Sequence, residues 1–142
     1  MSATRTASTH WEGTLFEGAG KVTLESSGLG THDVSWPART DEAANGRTSP
    51  EELIAAAHSS CFSMAFSNGL AKNETPATSL DTTAAVSFTP GTGITDIKLT
   101  VRGVVEGLDN AKFVELAEAA KVGCPVSQAL AAVPITLDAA LA

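Results

Sequence analysis

Ser49-Pro50-Glu51-Glu52-Leu53-Ile54-Ala55-Ala56-Ala57-His58-Ser59-Ser60-Cys61-Phe62 is the stretch whose reading decides the fold. Ser49 suits a helix N-cap, Pro50 the first helical position, and Glu52 the N3 position from which a carboxylate closes a capping box. The pattern predicts a long helix running to Leu70 or Ala71, with Asn68-Gly69 fraying its end. Small residues (Ala55, Ala56, Ala57, Ser59, Ser60, Ser63, Ala65) lie all round it, so burial on most sides is expected. Upstream, Thr9–Gly13 and Lys21–Ser26 alternate in the strand manner, with Gly18 and Gly20 turning the chain between them. A third strand is expected over His32–Trp36, ended by Pro37, and residues 39–48 read as loop. Downstream, Leu80–Thr89 and Ile94–Glu106 form a hairpin about Pro90-Gly91-Thr92-Gly93. Asn110–Lys121 has helical periodicity and is stopped by Gly123; Cys124-Pro125 opens a short helix that ends before Pro134. Ile135–Leu137 returns as a strand. The order βββ-α-ββ-αα-β is segregated rather than alternating, so the class is α+β.

The 142 residues are expected to form a single domain spanning 1–142. Apolar residues make up 43% and charged residues 18%, the balance of a folded globular chain. Nine basic residues against 16 acidic ones give a formal charge of −7, with no basic run, which disfavours nucleic acid or an anionic membrane as partner. The start lacks the apolar core of a signal peptide, and Leu53–Ala65 is too short and too polar to span a bilayer. A cytoplasmic location is expected, where a pair of cysteines serves catalysis or redox sensing, or is inert, more often than it forms a structural staple.

The two cysteines sit in contrasting places. Cys124 falls at the N-cap of a helix whose N1 is Pro125, where free N–H groups and the helix dipole favour thiolate. Cys61 is mid-helix and needs another activator; the nearest cations in sequence are Arg39 and Arg47. From spacing alone, Cys61 could equally be a small buried hydrophobe and Cys124 a convenient cap. His58, three residues before Cys61 on the same helical face, could pair with a thiolate, supply half a metal site, or be a satisfied or interface histidine. The remaining candidates for a metal, His10, His32 and Cys124, show no ligand spacing, so no metal is expected.

Glu52 is accounted for by the capping box, whereas Glu51 is not. Glu51 cannot reach Cys61 within one helix, since ten residues place them about 15 Å apart along the axis. Two copies of the helix packed antiparallel about a two-fold axis near Ala56 would bring Glu51 level with Cys61 of the partner subunit. Ala55, Ala56 and Ala57 are small enough to allow that approach. The pattern therefore predicts an isologous homodimer with active sites shared across its interface.

Residues 50–65, Pro-Glu-Glu-Leu-Ile-Ala-Ala-Ala-His-Ser-Ser-Cys-Phe-Ser-Met-Ala, and residues 123–130, Gly-Cys-Pro-Val-Ser-Gln-Ala-Leu, closely resemble the OsmC/Ohr family, the osmotically inducible and organic-hydroperoxide-resistance proteins. The resemblance spans essentially the whole chain, including Trp11 with Gly13 and the segment Trp36-Pro37-Ala38-Arg39. His-Ser-Ser-Cys-Phe-Ser-Met and Cys-Pro-Val-Ser favour the OsmC branch. It implies an OsmC-like fold of antiparallel sheets around a long central buried helix, assembled as an intertwined homodimer. It implies a thiol-dependent peroxidase acting in oxidative and osmotic stress defence, with Cys61 the peroxidatic and Cys124 the resolving cysteine. The family arginine would be Arg39 and the family glutamate Glu51; Arg47 maps to no family role.

The chemistry that follows needs a peroxide and an external thiol or dithiol, and no metal, flavin or haem. Arg39, held by Glu51, would keep Cys61 as thiolate and orient the peroxide. The thiolate attacks the peroxide, leaving a sulfenic acid and releasing alcohol or water. Cys124 then forms a disulfide with Cys61, which the external thiol reduces. Apolar neighbours (Phe62, Met64, Phe66, Val126) suit organic hydroperoxides as well as hydrogen peroxide. The resemblance makes Cys61 the attacker although helix logic makes Cys124 the more activated thiol. Two other readings are a non-catalytic redox-sensing or ligand-binding module of the same fold and a cysteine hydrolase built on His58 and Cys61; the latter lacks an orienting third residue.

Overall fold

The computed structural model describes all of Met1–Ala142, which divide into two compact units, Met1–Leu53 and Ile54–Ala142. In the N-terminal unit, β1 (Ser8–Glu12), β2 (Ala19–Thr23) and β3 (Thr31–Val34) form an antiparallel meander in the order β1-β2-β3. Gly20 faces Trp11 across the first pair; a Cβ there would meet the indole at 2.7 Å. Pro37 does not end a strand as expected. Ser35 instead caps a short helix, α1 (Trp36–Thr40), by accepting from the Ala38 N–H, and Pro37 occupies its first turn, where its missing N–H costs nothing. Arg39 is therefore helical and held in place, not part of a loop.

Helix α2 runs from Pro50 to Lys72, longer than expected because Gly69 sits within it. Ser49 caps it by accepting from the Glu52 N–H at 3.1 Å. The capping box is only half formed: the Glu52 carboxylate accepts from the Thr48 hydroxyl at 2.6 Å. Beyond Leu53 the helix buries one stripe, His58, Phe62, Phe66 and Leu70, spaced by four residues. The expectation of burial on most sides is not met in the single chain, since small side chains cover little and Met64 is 72% exposed.

In the C-terminal unit, β4 (Ser79–Thr89) and β5 (Gly93–Val104) form the hairpin, with a bulge at Ser87/Phe88. Helices α3 (Asn110–Gly123) and α4 (Pro125–Ala129) carry the chain across to β6 (Ile135–Leu141). This crossover sets β6 parallel to β5, so the second sheet, β4-β5-β6, is mixed rather than wholly antiparallel. Ile97, Leu99 and Val101 project from one face of β5 and Phe113, Ala117 and Ala120 from one face of α3. Leu99 and Val101, the three α3 residues and Phe62, Phe66 and Leu70 of the α2 stripe make a continuous core, knit by ring contacts from Phe66 to Phe62 at 5.7 Å and to Phe113 at 4.9 Å. No helix is long and apolar enough to cross a membrane. The fold class is α+β, as expected from the order of elements.

Candidate active site

The C-terminal core holds both cysteines as free thiols. Cys61 lies on α2 beside the stripe of Phe62, while Cys124, fully buried, is at once the C-cap of α3 and the N-cap of α4. Gly123 and Pro125 produce this junction: the first closes α3 and the second sets the start of α4. The two sulfurs are near enough for each thiol to act on the other's ionisation. Burial pushes the Cys61 thiol up; the Val126 N–H opposes this, and Cys124 adds to it. Burial also penalises the Cys124 anion, but the Ser127 N–H, Cys61, the Ser127 hydroxyl and the Val126 N–H together hold that thiol below its ordinary value. The Cys124 sulfur makes no formal cap hydrogen bond.

His58 does not pair with Cys61. Its Nε2 lies 2.8 Å from Ser127 Oγ, and its Nδ1 is buried without a partner. Burial holds the imidazole below its ordinary value, so it is neutral at neutral pH. Phe62 and Phe66, expected to surround a substrate, are fully buried core instead, because the α2 stripe that carries them turns into the sheet.

Arg39 and Glu51 form the second constellation, within the N-terminal unit. The guanidinium grips the carboxylate through two nitrogens, Nε at 2.9 Å and Nη2 at 2.8 Å from Oε1, and Nε also reaches Oε2 at 3.2 Å. Glu51 is buried, one of few buried charged or polar side chains in the chain. Arg39 borders an apolar cavity of about 280 Å³ lined by Trp11, Leu15, Val22, Trp36 and Leu53 among others. Arg47 stands apart, its Nη1 3.5 Å from Ser35 Oγ. The sequence reading missed Ser127 and the cavity walls; the Cys-Pro-Val-Ser segment and the two tryptophan segments were the signals that contained them.

A buried thiol at a helix junction, with a half-buried one on α2 beside it, is the arrangement of a redox-active cysteine protein. The chain belongs to the OsmC family: the family model described as OsmC-like protein matches residues 43–138. It is 43% identical over 141 residues to peroxiredoxin OsmC of Escherichia coli (strain K12), covering 97% of this chain and 96% of that protein. Among solved structures it resembles the organic hydroperoxide resistance protein OhrB of Bacillus subtilis, with a TM-score of 0.73, 26% identity and coverage of 94% of this chain and 97% of that one. It also resembles an organic hydroperoxide resistance protein OsmC from Legionella pneumophila, with a TM-score of 0.69, 25% identity and coverage of 98% and 99%.

Proposed function

We infer that the protein is a thiol-dependent two-cysteine peroxidase, a reading carried by the adjacent free thiols of Cys61 and Cys124 in a member of the OsmC family. The Cys61 thiolate attacks one peroxide oxygen, the O–O bond breaks, and the departing alkoxide or hydroxide takes a proton to leave as alcohol or water. The Cys61 sulfenic acid is then attacked by Cys124, which displaces its oxygen as water and closes the disulfide. An external dithiol supplies two electrons and two protons to restore both thiols. No cofactor enters the cycle.

In the single chain Cys61 is the less acidic thiol, so the attacker needs a cation that its own surroundings do not supply. Arg39 fills that role in a homodimer whose two sites each take Cys61 and Cys124 from one chain and Arg39 and Glu51 from the partner. Three features support this reading: Arg39 is fixed by a bidentate carboxylate, Glu51 and Cys61 are ten residues apart on one continuous helix, and apolar side chains such as Met64 and Phe16 are uncovered. The apolar cavity beside Arg39 suits the organic group of a hydroperoxide.

The test is peroxide consumption with a dithiol reductant, using cumene hydroperoxide and hydrogen peroxide. Cys61→Ser should lose all turnover, and Cys124→Ser should react once and then fail to recycle. Stoichiometric oxidation without turnover by the wild type, under several reductants, would replace the peroxidase by a redox-sensing module.

A further inference from the structure

Two helices carry the thiols: Cys61 lies within α2, and Cys124 opens α4 as its N-cap. Both thiols are free, and a bridge between them needs Cβ atoms about 3.5–4.5 Å apart. How readily the pair closes therefore depends on what holds α4 against α2. Little in α4 itself does so. It is five residues long, and its one buried residue is a serine, Ser127, rather than an apolar side chain. Ser127 Oγ lies 2.8 Å from Nε2 of His58 on α2, the one side-chain hydrogen bond that joins the two helices. His58 precedes Cys61 by three residues along α2, and Ser127 follows Cys124 by three in the first turn of α4. The bond thus lies about one turn from each thiol. It is also dry: His58 is wholly buried and Ser127 is 6% exposed, so water does not compete for it. Packing alone does not account for the histidine, because its Nδ1 is buried without a partner, a loss that an apolar side chain would not incur.

We propose that His58 and Ser127 are positioning residues for disulfide closure: their hydrogen bond pins α4 to α2 one turn from each cysteine and so raises the effective concentration of Cys124 at Cys61. The inference rests on the two-cysteine peroxidase reading and deepens it by naming what keeps the second thiol in reach. In the condensation the Cys124 sulfur bonds to the Cys61 sulfur while the Cys61 S–O bond breaks. The oxygen leaves as water, with its own proton and the one that Cys124 gives up. His58 and Ser127 exchange no proton with either sulfur in this step; they hold the two helices together, whichever of them donates. The coupling is reciprocal. Closing the bridge must tighten the His58–Ser127 bond by the same factor by which that bond favours the bridge.

The experiment equilibrates the whole chain with mixtures of oxidised and reduced dithiothreitol and counts free thiols. In that exchange the Cys61–Cys124 bridge forms while the reagent's own disulfide is reduced and takes up the two thiol protons, so no peroxide is needed. His58→Asn keeps an amide but stops short of Ser127; it should weaken the bridge about tenfold, a potential about 30 mV higher. His58→Gln sets its amide where Nε2 stood and should keep the wild-type equilibrium. Both variants leave Ser127 beside Cys124. The thiolate absorbance of Cys124 near neutral pH, read in a Cys61→Ser background, should therefore be alike in all three proteins; the chain has no tyrosine to overlap it. An unchanged bridge in His58→Asn would overturn the proposal, as would equal losses in His58→Asn and His58→Gln. A tenfold loss of Cys124 thiolate in His58→Asn would also overturn it, by assigning the effect to acidity. Should His58→Asn fail to fold, the wild type decides: the His58 ring N–H should exchange with solvent about tenfold more slowly in the bridged than in the reduced protein, and equal exchange refutes the proposal. Absent peroxide turnover with these equilibria intact would remove the peroxidase reading and leave the positioning role standing.

Discussion

The two compact units meet the problem of burial in opposite ways. Ile54–Ala142 close a continuous core of aromatic and branched side chains around the cysteine pair. Met1–Leu53 bury Val22 as their one large apolar side chain, leaving Leu15 50%, Phe16 67% and Leu29 79% exposed. A meander with so little interior cannot offset the entropy of ordering its residues by its own burial. Yet this is the unit that carries the Arg39–Glu51 pair and the apolar cavity. The contrast teaches that the reactive sulfurs sit where the chain is self-sufficient, and the cation and apolar wall sit where it needs cover. In the proposed homodimer a second copy supplies that cover.

The largest effect expected is on stability, in the core that stands by itself. Phe113→Ala removes a ring packed on Phe66 and should cost about 3–5 kcal/mol in denaturant unfolding. Val22→Ala should cost less, about 1.5–3 kcal/mol. Equal losses would erase the contrast between the units. Next in size is the proposed catalytic dependence on the sparse unit. Arg39→Ala should lower kcat/KM about 10²–10³-fold while denaturant unfolding of the C-terminal core remains cooperative. Mixing Arg39→Ala with Cys61→Ser subunits then asks where the arginine acts. In the proposed homodimer random reassortment makes half the dimers hybrid, each with one intact site, so about a quarter of wild-type activity should return. No recovery would place Arg39 and Cys61 of one site on the same chain.

The C-terminal unit was readable in sequence because its signals are local and agree with one another. The hairpin turn at Pro90–Gly93, the helical periodicity of Asn110–Lys121 and the Gly123-Cys124-Pro125 junction all point to one arrangement, whereas the buried stripe of α2 was not read from its small residues. The N-terminal unit was read less well. Proline at position 37 served equally as a strand stop or a helix start, and only the Ser35 hydroxyl capping Ala38 distinguishes them. Thr48 engages Glu52 instead of the capping box for a similar reason, a donor that spacing rules do not weigh. At the site, Cys61, Cys124, Arg39 and Glu51 could be singled out by residue type and motif. Ser127 could not, since one serine in a helix has no signal until a buried imidazole is found against it.

A smaller effect tests how tightly the self-sufficient core is filled. Gly103 lies on β5 where an added Cβ would come within 2.7 Å of the Phe113 ring and 2.9 Å of Leu80. Gly103→Ala should therefore cost about 1–3 kcal/mol by overpacking, measured as a shift in the unfolding midpoint. Gly69, with open space around its Cβ position within α2, should instead tolerate alanine and gain about 0.5–1 kcal/mol from helix propensity. A Gly103→Ala variant as stable as wild type would show that the core yields more readily than its contacts imply.

The smallest effect concerns the one buried imidazole. Burial lowers the His58 pKa in the folded chain, so in the window just below the ordinary histidine value of about 6.5 the unfolded chain binds a proton that the folded chain refuses. Stability is then fully present above about pH 6.5 and is lost as pH falls through that window toward the folded value. His58→Gln cannot titrate and should flatten this decline. Asp33 does not confuse the comparison. Its hydrogen bond from Lys21 holds the carboxyl below its ordinary value, so its contribution is lost only at more acidic pH. Urea unfolding at about pH 7.5 and about pH 5.5 reads the difference. Identical pH slopes for wild type and His58→Gln would mean that His58 takes up its proton in the folded core as readily as in water, and that this region of the C-terminal unit is less sealed than its packing indicates.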